Sequence, residues 1–167
     1  MMSSTPAAWS RRLLTIKLTK KERIVMNTSN AVTTIERGAN QQKWSILGEA
    51  YVPLHVTDTS LLMHARFSPG SFVPTHIHET QDEFIYILEG TMTVELDGKT
   101  LVAGPGSEVT LPMKVPHALF NRSDKPALAL VFVSPTGKMY DYMKKIDGLA
   151  DPAEVVRLGA EHEVRFV

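Results

Sequence analysis

The chain has 167 residues, 43% hydrophobic and 22% charged, with ten Gly, ten Pro and no Cys. This is the composition of one globular domain with short appendages. It excludes disordered, collagen-like and coiled-coil classes, and without Cys there is no disulfide scaffold, thiolate zinc site, iron–sulfur cluster or catalytic thiol. Net charge is zero but unevenly laid, with six Lys or Arg against one acid in residues 1–30 and 12 basic against 17 acidic residues in 31–167; such an acidic body is a poor nucleic-acid binder, and no apolar run reaches the ~18 residues of a membrane span.

Residues 1–30 read as a basic N-terminal arm. Arg11, Arg12, Lys17, Lys20, Lys21 and Arg23 interleave with Leu13, Leu14, Ile16 and Leu18. Charge breaks up the apolar residues, which argues against a secretory signal; an organellar transit peptide fits this Arg- and Ser-rich, acid-poor stretch better, beside the reading as a loose arm or as sequence upstream of a start at Met26. The arm is expected to be poorly ordered and the protein to be cytoplasmic.

Residues 31–134 are expected to form the domain proper. Trp44, Ile46, Leu47, Tyr51, Val52 and Leu54 lie in lead-in strands and loops. From Ser60 the chain becomes regular. Strands are predicted at 60–67, 72–78, 82–88, 91–96, 99–102, 108–111, 118–122 and 127–133. Pro69-Gly70, Glu89-Gly90, Asp97-Gly98 and Gly104-Pro105-Gly106 separate them, and Asp97-Gly98 is a strong hairpin signal. A turn every 8–12 residues predicts an all-β barrel or sandwich. In 82–88 both strand faces are largely apolar, which predicts cover on both sides. The second layer is either the chain's own tail or another copy in a homodimer. The tail, 135–167, is expected to be a helical segment packed on the barrel. Met139, Tyr140, Tyr142, Met143 and Ile146 are spaced for a helix face, Asp151-Pro152 starts a second helix, and residues 163–167 are a candidate strand.

Four residues carry the chemistry. His76 and His78, two apart in a strand, present both imidazoles to one face. Glu83 opens the next strand and His117 a later one, so a closed barrel can bring all four to one interior point. An apolar interior holding a carboxylate and three imidazoles is costly unless they share a ligand. One divalent transition metal (Fe, Mn, Ni, Co, Cu or Zn) satisfies them, and a metal of five or six coordination keeps positions open for substrate. His55, His64 and His162 read as surface or satisfied core residues.

Gly70, His76, His78, Glu83 and Gly90 fit G-x5-H-x-H-x4-E-x6-G, and Gly106, Pro112, His117 and Asn121 fit G-x5-P-x4-H-x3-N. These resemble the two motifs of the cupin superfamily, over about residues 60–134, with one departure: Gly104 precedes Pro105-Gly106 in the family's P-x-G turn. The resemblance implies a double-stranded β-helix (jelly-roll) barrel with a metal on His76, His78, Glu83 and His117. The tail, VFVSPTGKMYDYMKK with a closing EHEVRFV, resembles quercetinase-like single-barrel cupins. It implies a dioxygenase acting with dioxygen on a small enol-bearing aromatic such as a flavonol, with Glu83 as catalytic base as well as ligand. Phe72, Met92, Phe120 and Phe132 are pocket candidates. Two alternatives stand beside this. One is a metal-dependent isomerase or epimerase of a sugar or keto acid, which needs an added acid/base pair; His64 and Arg66 are the nearest interior-facing candidates. The other is a non-catalytic ligand-binding module.

Overall fold

The computed structural model describes residues 42–167; the basic arm expected over 1–30 lies outside the described residues. In chain order the described elements are β1 (Trp44–Ile46), β2 (Glu49–Val56), β3 (Leu61–Phe67), β4 (Phe72–His78), β5 (Asp82–Glu89), β6 (Met92–Leu96), β7 (Lys99–Ala103), β8 (Glu108–Leu111), β9 (His117–Phe120), β10 (Ala127–Ser134), α1 (Met139–Ile146), α2 (Pro152–Glu161) and β11 (Val164–Phe166). Two antiparallel sheets form the jelly roll, one in the order β1-β2-β3-β10-β5-β8 and the other β11-β4-β9-β6-β7.

Period-two alternation decides what goes inside. Leu61, Met63, Ala65 and Phe67 of β3, Ile85 and Ile87 of β5, and Ala129, Val131 and Val133 of β10 are buried from one sheet, facing Val94 and Leu119 of the other. Each large side chain among them contributes about 1.5–3 kcal/mol by leaving water. Turn chemistry sets the register. Asp97 and Gly98 both take positive φ, 48° and 71°, the left-handed pair that a two-residue hairpin between twisted strands requires, and β6 and β7 pair in register from Met92↔Ala103 to Leu96↔Lys99.

Gly90 is held more tightly than its turn alone demands. Its φ is +74°, and a Cβ there would sit 2.6 Å from the Pro126 carbonyl oxygen and 2.8 Å from Ala127 Cα, both backbone atoms. At Gly106 φ is +83° but a Cβ would meet nothing within 4 Å. Gly106→Ala is therefore expected to cost only the strained backbone, about 1 kcal/mol or a little more. Gly90→Ala adds the clash and is expected to cost about 2–5 kcal/mol, a melting temperature lower by roughly 2–4 °C per kcal/mol. Equal melting temperatures for the two variants would contradict this.

The tail does not supply the second layer over β5. Tyr86 and Leu88, on its outer face, are 42% and 38% exposed. The helices pack elsewhere. α1 buries Met139, Tyr142, Met143 and Ile146, one stripe along a helix. α2 starts at Asp151, whose carboxylate accepts from the Ala153 N–H at 2.9 Å, with Pro152 in its first turn. β11 then enters the barrel itself and pairs with β4, Val164 opposite His78 and Phe166 opposite His76. No helix among the described residues is long and apolar enough to cross a membrane.

Candidate metal centre and its cavity

β4 and β9 are neighbours, and their ladder sets His76 directly opposite His117. His78 follows on the same face of β4. Glu83 comes from β5 in the other sheet, so the four side chains close across the barrel. All are buried, and each offers one ligand atom, the four lying within 4.8 Å of one another. The ring centroids of His76 are 4.3 Å from those of His117 and 5.0 Å from those of His78.

Backbone carbonyls two residues back orient two of the rings. His76 Nδ1 donates to the Pro74 carbonyl at 2.8 Å and His117 Nδ1 to that of Val115 at 3.0 Å. This leaves each Nε2 as the lone-pair nitrogen turned to the site, an arrangement typical of metal-binding histidines. His78 Nε2 donates to Glu83 Oε2 at 2.7 Å. His117 Nε2 lies 3.7 Å from the same oxygen, too far for a hydrogen bond, and like His78 Nδ1 it is buried without a partner. Buried polar atoms are rarely left so. Three imidazoles and one carboxylate with an orphaned inward nitrogen fit a divalent transition ion; nothing in the donor set selects which one.

Electrostatics divide the quartet. Burial, then the neighbouring His117 and His78, pushes His76 down from 6.5 to about 3, so it is neutral and ready as a ligand. Burial also disfavours the Glu83 carboxylate, but His117 and His78 outweigh it and hold Glu83 below the usual carboxylate range. For His117, burial favours the neutral ring, yet Glu83 and the Val115 carbonyl raise it above 6.5. A cation must therefore compete with a proton on His117 but not on His76. Metal affinity is expected to fall as pH drops through the raised His117 range, above 6.5, and to have levelled upward only on the alkaline side. Calorimetric titrations from pH 5 to 9 check this, and a pH-independent affinity would rule it out.

The centre opens on one side into a cavity of about 840 Å³ lined by His76, His78 and Glu83 and, for the rest, largely by apolar side chains. Of the sequence-derived pocket candidates Phe72 lines it. The others do not. His64 and Arg66 sit at even positions of β3, whose odd positions face inward. Phe132 likewise points outward from β10 and packs against Phe84. Phe120 ends β9, stacked on Phe72 beneath Arg122. Met92 is buried, but away from the cavity. Parity along the strand is the reason for His64, Arg66, Phe120 and Phe132, since one residue of offset moves a side chain to the opposite face; Met92 faces inward but lies in another part of the core. Sequence reasoning missed the actual walls: Tyr51 from β2, and Met139, Tyr142, Met143 and Val155 from the helices. The apolar stripe of α1 was visible, but not the surface it covers. Asn121 is structural: its Nδ2 donates to the Phe67 and Lys125 carbonyls at 3.0 and 2.8 Å, and its Oδ1 accepts from Ser123. His162 is satisfied by Leu158 and Lys145.

Residues 63–133 match the cupin domain family. Among curated proteins the chain is 30% identical over 97 residues to the polyketide synthase CurC of Streptomyces cyaneus, covering 58% of this chain and 63% of that one. It is 29% identical over 84 residues to the tetracenomycin polyketide synthase protein TcmJ of Streptomyces glaucescens, covering 50% and 56%. The chain thus spans about three fifths of the length of these relatives. Among solved structures, a sugar phosphate isomerase of the cupin superfamily from Silicibacter pomeroyi superposes with a TM-score of 0.50 at 26% identity, over 56% of this chain and 63% of that one.

Proposed function

Because this chain belongs to the cupin superfamily as a single-barrel member, and three of its four clustered donors, His76, His78 and Glu83, line a largely apolar cavity, we propose that it is a metal-dependent enzyme acting on an enolisable, largely apolar substrate, an aromatic or polyketide-like molecule. The observation that carries this reading is the lining. No Lys or Arg is among the described residues that line the cavity. A phosphate or a free carboxylate would enter with no counter-charge, beside the acids Glu49 and Glu83. A sugar would bury many hydroxyls against Met63, Phe67, Val131, Met139 and Met143 with few partners. Flat apolar rings lose nothing there, and the volume is of the size that holds them. The exposed part of the lining continues the same chemistry: Leu47, Phe72 and Val156, 43%, 59% and 41% exposed, come from the β1–β2 turn, β4 and α2. These features weigh against a sugar phosphate or keto acid substrate.

The residues present suit proton removal next to a carbonyl. A divalent ion, when bound, supplies Lewis acidity that lowers the pKa of a substrate oxygen or of the adjacent C–H. Glu83 is ionised at neutral pH and reaches the same space, so it accepts the proton. Apolar walls keep water from the resulting enolate and strengthen each charge interaction around it. The likeness to the polyketide synthase proteins CurC and TcmJ supports carbon–carbon bond formation as its fate. Oxygenative cleavage of the same enolate is the second reading, supported by the resemblance of the tail to quercetinase-like proteins.

One experiment separates these. Metal-loaded protein is incubated with quercetin and with aromatic 1,3-diketones, in air and under argon. Dioxygen uptake with cleavage products supports the second reading, and turnover that persists under argon supports the first. Saturable binding without turnover identifies a ligand-binding module. Conversion of a sugar phosphate with no affinity for any aromatic enol would sink the proposal.

A further inference from the structure

One polar group in the cavity has no use in the fold. Tyr51 faces inward on β2, opposite Ala65 of β3 and Trp44 of β1. Its ring stands edge-on to the buried Phe67, centroids 6.0 Å apart at 87°, which fixes the ring plane. It lines the same cavity as Glu83. Among the described residues its hydroxyl has no hydrogen-bond partner, and it is not one of the sealed, unpartnered atoms, which belong to Trp44, Ser71, His78, Gln81 and His117. Tyr51 is a wall of the cavity, and among the described residues no other group competes with a bound molecule for this hydroxyl. Tyrosine hydroxyls in buried surroundings normally find a partner. The cavity's other tyrosine does: Tyr142 donates to the Val155 carbonyl at 2.9 Å and ties α1 to α2. Burial, followed by the Glu83 and Glu49 carboxylates, pushes the Tyr51 phenol above its ordinary value of 10, so it keeps its proton at any working pH and acts as a donor.

We propose that Tyr51 is a further catalytic residue of this site, its O–H donating a hydrogen bond to the substrate oxygen on which charge develops. This rests on the enolisation reading above. In that step the substrate C–H bond breaks and its proton passes to the Glu83 carboxylate. The electron pair forms the carbon–carbon double bond, and the carbonyl π pair moves onto oxygen. Tyr51 keeps its proton and stabilises that oxyanion, the role of a preorganised donor in a water-poor site.

The test uses the full, metal-loaded chain and two probes: benzoylacetone, which enolises, and its 2,2-dimethyl analogue, which has the same two carbonyls but no proton to lose. Tyr51→Phe keeps the ring and its contact with Phe67, so melting temperature and bound metal should match the wild type. Wild-type protein is expected to bind benzoylacetone well above the analogue, with the enolate band visible in the ultraviolet. In Tyr51→Phe that preference should shrink by about 10–100-fold, the worth of one hydrogen bond to a charged oxygen, while affinity for the analogue stays the same. A wild type with no preference between the probes overturns the enolisation reading and this inference with it. A wild-type preference retained in full by Tyr51→Phe overturns the inference alone.

Discussion

His76→Ala, His78→Ala and His117→Ala are each expected to lower metal affinity by about 100-fold or more, beyond what is typical for loss of an outer partner of a ligand. Each removes one of four converging donors from a site whose remaining atoms are already placed. The three differ in the metal-free protein. His76 is neutral there, so its loss costs the metal-free fold mainly the volume vacated. His78 is the 2.7 Å partner of Glu83; without it a buried carboxylate keeps only His117, at 3.7 Å. Removing the hydrogen-bond donor of a buried carboxylate costs about 1.5–3 kcal/mol. In chelator, His78→Ala should therefore melt well below His76→Ala. Elemental analysis and calorimetry read the affinity and thermal melts read the order. Near-full metal occupancy in any one variant would remove that residue from the ligand set.

Glu83→Gln is expected to reduce turnover by about 10²–10⁴-fold, the usual worth of a positioned general base, when compared at equal metal occupancy. The amide keeps the volume and loses both charge and basicity. It also removes the group that raises His117. The pH at which protons compete with metal should then move down in Glu83→Gln, a shift that mere distortion of the pocket does not produce. Undiminished turnover at matched occupancy would exclude Glu83 as the proton acceptor.

Much of this site was legible in one dimension because strands have a period of two. His76 and His78 share a face whatever the rest of the fold does, and Pro74 and Val115 lie two residues before His76 and His117, where their carbonyls meet the ring Nδ1 atoms. Asp97-Gly98 and Asp151-Pro152 are local signals, and both ended in the turn and the helix start that local chemistry predicts. The pocket was not legible in this way. Its walls come from β2, β3, β10 and both helices, and wall-lining is a property of the space between elements. Phe120 and Phe132 look like pocket residues by type and fail by parity; Tyr51 looks like a core residue and lines the same cavity as Glu83.

The shared face of His76 and His78, the strands and the turns between them could be read from the chain alone, because each depends on residues at most a few positions apart; bringing Glu83 and His117 to the same point takes the closed barrel. It took long-range packing to settle that β11 returns to pair with the His76–His78 strand, that the helices wall the cavity rather than cover the outer face of β5, and that no Lys or Arg among the described residues lines it. Those are outcomes of long-range packing, in which many apolar stripes compete for a few surfaces, and composition cannot say which surface each one wins.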